Sequence, residues 1–305
     1  MFQRYPDKNE ITEWVKRHHR KWPEEILEKR VSIIILNRDG CNHLKVCIPA
    51  ILSETSCRNY EIIVVDNDSK DDSIKYVKSL ENPILKVIRN NKNESFSIAN
   101  NMAAGSATGE YLVFLNNDTE PLNGWLEEML LTMDTNSAGI VGSKLIYPAK
   151  EASFLKSLIN IQGYKSNSIQ HAGILFMPYK GYSKPYNVGK SLNPFADEVN
   201  TQREYPAVTG ASMMIKKDLF VRAGGFDSQY LYGLEDVDLC LKVRNMGYSV
   251  IYCPFSTLYH YEFGSQKDDV DDVVRDRRMN NLKIFNKKWR DYLMNHHEMW
   301  ARKGS

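Results

Sequence analysis

Short apolar runs that stop abruptly at polar residues dominate the first part of the chain. Val31-Ser-Ile-Ile-Ile-Leu36 ends in Asn37-Arg38-Asp39-Gly40, and its length and β-branching predict a fully buried strand followed by a polar loop. A helix is expected through Leu44 to Leu52. The pattern returns as Glu61 to Val65 ending in Asp66-Asn67-Asp68-Ser69, a helix near Ser73 to Leu80, and Ile84 to Ile88 ending in Arg89-Asn90. That alternation is βαβαβ and predicts a parallel sheet. A helix across Ser97 to Ala107 leads into Tyr111 to Leu115, where the apolar run again ends in polar side chains, Asn116, Asn117 and Asp118. In open α/β sheets ligands bind beyond the carboxyl ends of the strands, so these tips are expected to share one rim.

The pattern weakens after a helix at Trp125 to Met133. From about Pro148 to Pro206 the chain is rich in Ser, Asn, Tyr, Gly and Pro, and reads as loops with short strands such as Gly173 to Met177. Regular structure resumes with Ala207 to Ile215, the amphipathic Lys217 to Ala223, a Gly224-Gly225 turn, a helix Glu235 to Met246 stopped by Gly247, and a strand Tyr248 to Tyr252. The expected division is an N-terminal helical extension over 1–30, a main domain over 31–265 with halves 31–147 and 148–265, and a C-terminal helical extension over 266–305. Ile11, Trp14, Val15, His18 and Trp22 recur at near-helical spacing beside Lys16, Arg17, Arg20 and Lys21. A helix on a membrane surface and a helix packed on the domain or on a partner both fit. The helical segment Asp268 to Trp300, with Lys287-Lys288-Trp289-Arg290, admits the same two readings, so peripheral membrane contact or oligomerisation through the terminal helices stays open.

Composition narrows the classes. The chain has 305 residues, 42% of them hydrophobic, enough for an ordinary core. A formal charge of +2 gives no global basic field, and no nucleic-acid partner is expected. The cysteines, Cys41, Cys47, Cys57, Cys240 and Cys253, are odd in number and form no CxxC pair, which suits reduced thiols in the cytoplasm. Met1 to Glu10 is polar, and no apolar run approaches the roughly 18 residues of a membrane span. The expectation is a soluble protein, or one peripheral at the inner face of a membrane.

The first strand is not followed by GxGxxG or GxxxxGK[ST], so a glycine-rich loop is not the phosphate cradle. A metal then enters. Asp118, with other oxygen or nitrogen ligands, suits Mn²⁺ or Mg²⁺ on a diphosphate; equally, Asp118 suits a cap on a following helix or turn. Asp71 and Asp72 read as N-terminal acids of the next helix. Asp66 comes directly off a buried strand, where its carboxylate suits a base N–H or a ribose hydroxyl. Glu235 and Asp236 suit either a general base facing the rim or acids favoured by a helix dipole.

Taken in order, Val31 to Asn37, Ile63-Val-Val-Asp66-Asn-Asp-Ser69, Asn93 to Asn101, Phe114-Leu-Asn-Asn-Asp118, Thr209-Gly-Ala211, Gly224-Gly-Phe-Asp227 and Glu235-Asp-Val-Asp238 resemble a family-2 glycosyltransferase of the GT-A fold. They are most similar to its bacterial rhamnosyltransferase-like and galactofuranosyltransferase-like branch. The resemblance runs from about Val31 to His260. It implies an α/β class fold with a mixed, mainly parallel, Rossmann-like sheet flanked by helices, and an enzyme with a nucleotide-sugar donor. Asn37, Arg38, Asp66, Asn67, Asn93, Asn101, Asn116, Asn117, Thr209 and Gly210 would serve the donor, UDP- or dTDP-linked. Asp118 and His260 would hold Mn²⁺ or Mg²⁺. Asp236 would be the base in an inverting transfer to a hydroxyl of a glycan, glycolipid or glycoprotein, and Glu235 would orient donor or acceptor hydroxyls. Two departures stand out: Asn116-Asn117-Asp118 where many members carry two aspartates, and Glu94-Ser95 where a glycine is expected after Asn93. His171 lacks comparable support, and His18, His19, His43, His296 and His297 read as surface residues.

Other classes compete. A sugar nucleotidyltransferase needs a basic glycine-rich loop after the first strand, for which Asn37-Arg38-Asp39-Gly40-Cys41 is a poor substitute. A non-catalytic carbohydrate- or nucleotide-binding module would bind donor without transferring it.

Overall fold

The computed structural model describes residues 4–149, 166–231, 233–261, 272–296 and 299. Two helices lead in, α1 (Lys8–Arg17) and α2 (Glu24–Leu27). The predicted alternation follows as β1 (Val31–Asn37), α3 (Cys41–Glu54), β2 (Tyr60–Asn67), α4 (Ser73–Ser79), β3 (Leu85–Asn90), α5 (Phe96–Ser106) and β4 (Tyr111–Asn116). Next come β5 (Thr119–Pro121), α6 (Trp125–Thr135), β6 (Ile140–Ile146), β7 (Ile169–His171), β8 (Ile174–Tyr179), β9 (Tyr182–Asn187) and β10 (Arg203–Glu204). The chain continues as β11 (Ser212–Lys216), α7 (Lys217–Arg222), α8 (Glu235–Asn245), β12 (Val250–His260) and α9 (Asp272–Met294).

The main sheet runs β10-β12-β6-β11-β4-β1-β2-β3, with β5 added to β12 and β7 added to β6. β1, β2, β3 and β4 pair in parallel, as do β6 and β12; β11 is antiparallel to both β4 and β6. Alternation on β1 explains why the apolar runs are continuous. Ile33 and Ile35 pack on α3 and α6, while Ile34 faces the side covered by α5, α7 and α8.

The structure lengthens or shortens several predicted elements. α3 runs through Pro49 and is longer at both ends than expected. The expected strand Ala207 to Ile215 divides: Ala207 forms an isolated bridge with Ile174, and the ladder begins only at Ser212, which leaves Thr209, Gly210 and Ala211 as a turn. The strand expected at Tyr248 to Tyr252 continues to His260, with an irregularity between Cys253 and Thr257. The segment 140–146, read above as no element, is a central strand.

The N-terminal helix packs inward. Ile11 and Val15 are buried in the core, and Arg20 bonds the buried Glu128 through both its backbone N–H and its guanidinium, at 2.8 and 2.6 Å. Among the described residues no helix is long and apolar enough to cross a membrane. Trp14 lies over the fully buried Lys144, whose Nζ donates to Asn200 Oδ1. Burial pushes the Lys144 ammonium down to about 7. The unfolded chain therefore binds more protons than the folded one from about pH 7 up to the ordinary lysine pKa, and stability rises with pH across that window. Urea denaturation of the parent should show this rise, at most about 1.4 kcal/mol per pH unit, and K144M should flatten it.

Candidate active site

Three strand tips are tied side by side. Asn117 Nδ2 donates to Asn37 Oδ1 at 2.7 Å, and Asn37 Nδ2 donates to Ser69 Oγ at 3.3 Å, so the ends of β4, β1 and β2 form one hydrogen-bonded rim. Ser69 also accepts from Asp39 N, and Asp39 Oδ1 from Lys70 N. Gly40 belongs to the same construction, because a Cβ there would overlap both Asn117 Nδ2 and Asn37 Oδ1. Arg38 stands half out in solvent beside this rim.

Asp66 lies at the tip of β2. It is fully buried, and among the described residues neither carboxylate oxygen accepts a hydrogen bond; Arg89 Nε is 3.5 Å away. A buried carboxyl group without donors is costly, and both Asp66 oxygens can accept from a ligand N–H or O–H. Asn67 is engaged differently: its amide donates to Asn93 Oδ1 and Glu94 O and accepts from Asn90 Nδ2 and Glu94 N, all at 2.8–2.9 Å. Asn67 and Asn93 thereby shape the loop containing Glu94-Ser95, and Ser95 caps α5 through Ile98 N.

Asp118 is buried in the turn between β4 and β5, and a strand, not a helix, follows it. β5 pairs with the end of β12, placing Thr119 opposite His260. His260 Nε2 lies 3.2 Å from Asp118 Oδ1 and 3.3 Å from Asn116 Nδ2, while His260 Nδ1 lies 2.7 Å from Gln170 Oε1. Burial pushes the Asp118 carboxyl up, but His260 and then His43 outweigh it and leave it below the usual carboxylate range. His43, read above as a surface residue, is half-buried on α3 one turn before Cys47, whose Sγ is 3.9 Å from Asn116 O. Burial lowers the pKa of His43, with Asp118 and His260 both near enough to act on its charge.

These residues fit a divalent cation. His260 directs its Nδ1 proton to Gln170 and turns Nε2 to Asp118 Oδ1, 3.2 Å away. Positive charge between these two atoms, a proton on Nε2 or a metal ion in its place, holds them together at that distance. Neighbouring ligands on an octahedral ion at about 2.1 Å stand about 3.0 Å apart.

Glu235 and Asp236 open α8, after Gly233 and Leu234 have both turned through the left-handed region, at φ 79° and 77°. Asp236 is half-buried; its Oδ2 accepts from Gly210 N at 2.7 Å and its Oδ1 from Val237 N at 2.8 Å. Each oxygen keeps a further lone pair. Burial raises both carboxyls, and the backbone donors pull Asp236 back toward its charged form. Glu235 is more deeply buried, its Oε2 unbonded among the described residues. Burial first and Asp236 second raise its pKa well above the usual range. Leu234, a branched residue with positive φ, carries backbone strain of about 1–3 kcal/mol at this entrance.

The two acidic sites are joined through the turn before β11: Gly210 N bonds Asp236, and one residue on, Ala211 O accepts from Asn116 N at 3.0 Å. Thr209 N approaches His171 Nε2 at 3.4 Å. His171 is buried, burial lowers its pKa to about 4, and it contacts Asn187 through Nδ1. Asn101 stands apart from this group. Its side chain donates to Phe226 O and accepts from Phe226 N, and a Cβ at Gly225 would crowd its Oδ1, so it clamps the Gly224-Gly225 turn. Gln170, His171 and His43 carried little signal in sequence, because the first two sit in the weakly periodic stretch and the third on an ordinary helix face.

A family model described as glycosyl transferase family 2 matches residues 31–216, and one described as the N-terminal domain of galactosyltransferase matches 190–265. The uncharacterized protein y4gI of Sinorhizobium fredii is 31% identical over 278 residues, covering 89% of this chain and 28% of that protein. The O-antigen biosynthesis protein RfbC of Myxococcus xanthus is 27% identical over 247 residues, covering 79% of this chain and 18% of that protein. The chain thus spans less than a third of either relative. Among solved structures, GalNAc-T7 with UDP, GalNAc and Mn²⁺ superimposes with a TM-score of 0.61 at 18% identity, over 81% of this chain and 47% of that one. The mannosyltransferase PcManGT from Pyrobaculum calidifontis, in complex with GDP-Man and Mn²⁺, gives 0.55 at 18% identity, over 88% and 67%. The shared fold is of the GT-A type.

Proposed function

The chain belongs to glycosyl transferase family 2, and from that premise we propose that it is an inverting glycosyltransferase. It moves a sugar from a UDP- or dTDP-linked donor to a hydroxyl of a glycan, glycolipid or glycoprotein, in the manner of the rhamnosyl- and galactofuranosyl-transferring branch. The observation that carries this reading is the union of two unlike acidic sites by the Thr209-Gly210-Ala211 turn. One is a carboxylate and imidazole pair suited to a cation, the other a half-buried carboxylate with spare lone pairs.

In this reading Asp66 accepts the imide N–H common to uracil and thymine, and Asn37, Arg38 and Asn117 line the path of the donor. Asp118 and His260 would hold Mn²⁺ or Mg²⁺, whose positive charge would offset that of the departing diphosphate. Asp236 takes the acceptor hydroxyl proton as the acceptor oxygen bonds to the anomeric carbon. The bond from that carbon to the phosphate oxygen breaks on the opposite face, and its electron pair leaves with the diphosphate. Thr209 and Gly210 hold Asp236 toward the acceptor. The Mn²⁺ of both structural neighbours supports the metal, and the O-antigen relative supports a polysaccharide acceptor. A lipid-linked acceptor would place the chain at the cytoplasmic face of a membrane, with α1 not the anchor because Ile11 and Val15 lie in the core.

The test is a panel of UDP-, dTDP- and GDP-sugars with Mn²⁺, Mg²⁺ or EDTA, reading nucleoside diphosphate release with and without candidate acceptors. A UDP- or dTDP-sugar turned over with metal is the expected result, and D118N should weaken Mn²⁺ binding about a hundredfold, read by electron paramagnetic resonance. Donor binding without turnover under every metal condition would instead favour a binding module.

A further inference from the structure

β12 pairs along one edge of β6 from Ile140 to Ile146. The other edge is shared: β11 takes Ile140 to Gly142, and β7 takes Leu145 and Ile146. This short strand therefore fills the place where β11 has not yet begun. It lies between the end of β12, which carries His260, and the turn that carries Thr209 and Gly210.

Adjacent residues on β7 reach the two sides. Gln170 Oε1 is 2.7 Å from His260 Nδ1. A carbonyl oxygen can only accept, so Nδ1 carries a proton directed to Gln170, and Nε2 is the ring atom turned to Asp118 and Asn116. His171 is fixed more firmly. Backbone N–H groups of Gly173 and Thr209 both point to its Nε2, at 3.2 and 3.4 Å, and a backbone N–H can only donate. Its Nε2 must be the acceptor, and its Nδ1–H donates to Asn187 Oδ1 at 3.0 Å. Thr209 in turn precedes Gly210, whose N–H holds Asp236. Gln170, His171, Asp118 and His260 are all buried.

We propose that β7 is the positioning strand of the site: Gln170 holds Nδ1 of His260 and so aims its Nε2 at Asp118, and His171 anchors the Thr209-Gly210 turn that aims Asp236. The two acidic sites are then registered twice, once through Ala211 O and Asn116 N and once through β7. This rests on the function proposed above for the meaning of the two sides, but its geometry stands apart from it. Gln170 and His171 are positioning residues, since each acts through another side chain or through backbone.

Long-range ¹H–¹⁵N correlation spectra of the full chain labelled at histidine read both tautomers directly, without metal or donor. His171 and His260 are both expected to carry a proton on Nδ1. An Nδ1 without a proton in either ring, or a proton on Nε2 of His171, would overturn the corresponding half of the proposal. Variants separate the two halves. Q170L should lose about 10- to 100-fold in Mn²⁺ affinity with metal-free binding of UDP unchanged, and Q170E, which keeps the acceptor, should restore it. H171F should lower kcat about tenfold with Mn²⁺ affinity unchanged, while H171Q, whose amide oxygen can take the place of Nε2, should recover most of it. Equal Mn²⁺ affinity in Q170L and parent, or unchanged kcat in H171F, would contradict it. If the parent binds no Mn²⁺ and releases no diphosphate, the proposed function fails, and the tautomers still decide the geometry of β7.

Discussion

D236N is expected to lower kcat about 1,000-fold while donor affinity stays within about twofold of the parent, a general base being worth about 10²–10⁴. Asparagine preserves size and one acceptor oxygen, so α8 keeps one of its two backbone contacts at this residue. Its amide nitrogen must turn away from either the Gly210 or the Val237 N–H, which now bond separate carboxylate oxygens. A melting-temperature check separates that local rearrangement from loss of the base. E235Q supplies the contrast. Burial and the adjacent Asp236 hold the Glu235 carboxyl above its ordinary range, so it is largely protonated near neutral pH, and glutamine resembles that form. E235Q should retain activity within about tenfold. Similar losses in both variants would show that the pair acts as one unit, and a fully active D236N would remove Asp236 as the base.

D238A is expected to destabilise the chain by about 3–5 kcal/mol, as removal of one partner from a buried ion pair does. Asp238 shares a motif with Asp236 but faces the other way. It is fully buried and meets Tyr230 OH at 3.1 Å, Trp289 Nε1 at 2.7 Å, Lys288 Nζ at 2.8 Å and Lys242 Nζ at 3.1 Å. Lys288 and Trp289 belong to the basic, aromatic cluster of α9, which thus turns two of its members inward onto the helix of Asp236. The same helix accepts and donates around the entrance of α8, through Asn281 to Leu231 N and Gly233 O. D238N keeps an acceptor for Trp289 and should cost less, about 1–3 kcal/mol. Urea denaturation measures both, and a loss under about 1 kcal/mol in D238A would mean that α9 docks by its apolar contacts without this network.

The parallel half of the sheet was legible because its strands are buried on both faces. Continuous apolar runs in β1, β2 and β4, each closed by polar residues, gave both the elements and the rim. β6 was not legible for the same physical reason inverted. Its Ile140-Val-Gly-Ser-Lys-Leu-Ile146 is as buried as β1, yet Gly142, Ser143 and Lys144 break the apolar run. Each is matched by a partner distant in sequence. A Cβ at Gly142 would overlap Val208, Ser143 shares hydrogen bonds with Ser212 and Ser256, and Lys144 lies under Trp14. β7 is too short for any periodicity, so Gln170 and His171 had no element to be placed on. The terminal helices carried an amphipathic pattern that fitted membrane and core alike. Buried Ile11 and Val15, and the inward turn of Lys288 and Trp289, come from tertiary contacts. The C-terminal helix expected from Asp268 is described from Asp272 to Met294, and its earlier residues, with the expected His297 surface position, lie outside the described residues.

In the proposed mechanism Asp236 activates an incoming hydroxyl on the face of the sugar opposite the departing diphosphate. Time-resolved ¹H NMR of the anomeric proton tests it most directly, with whichever donor turns over and with transfer product followed before mutarotation. The account predicts a first-formed product whose anomeric configuration is inverted relative to the donor, with its formation suppressed about 1,000-fold in D236N. A first-formed product that retains the donor configuration would contradict it.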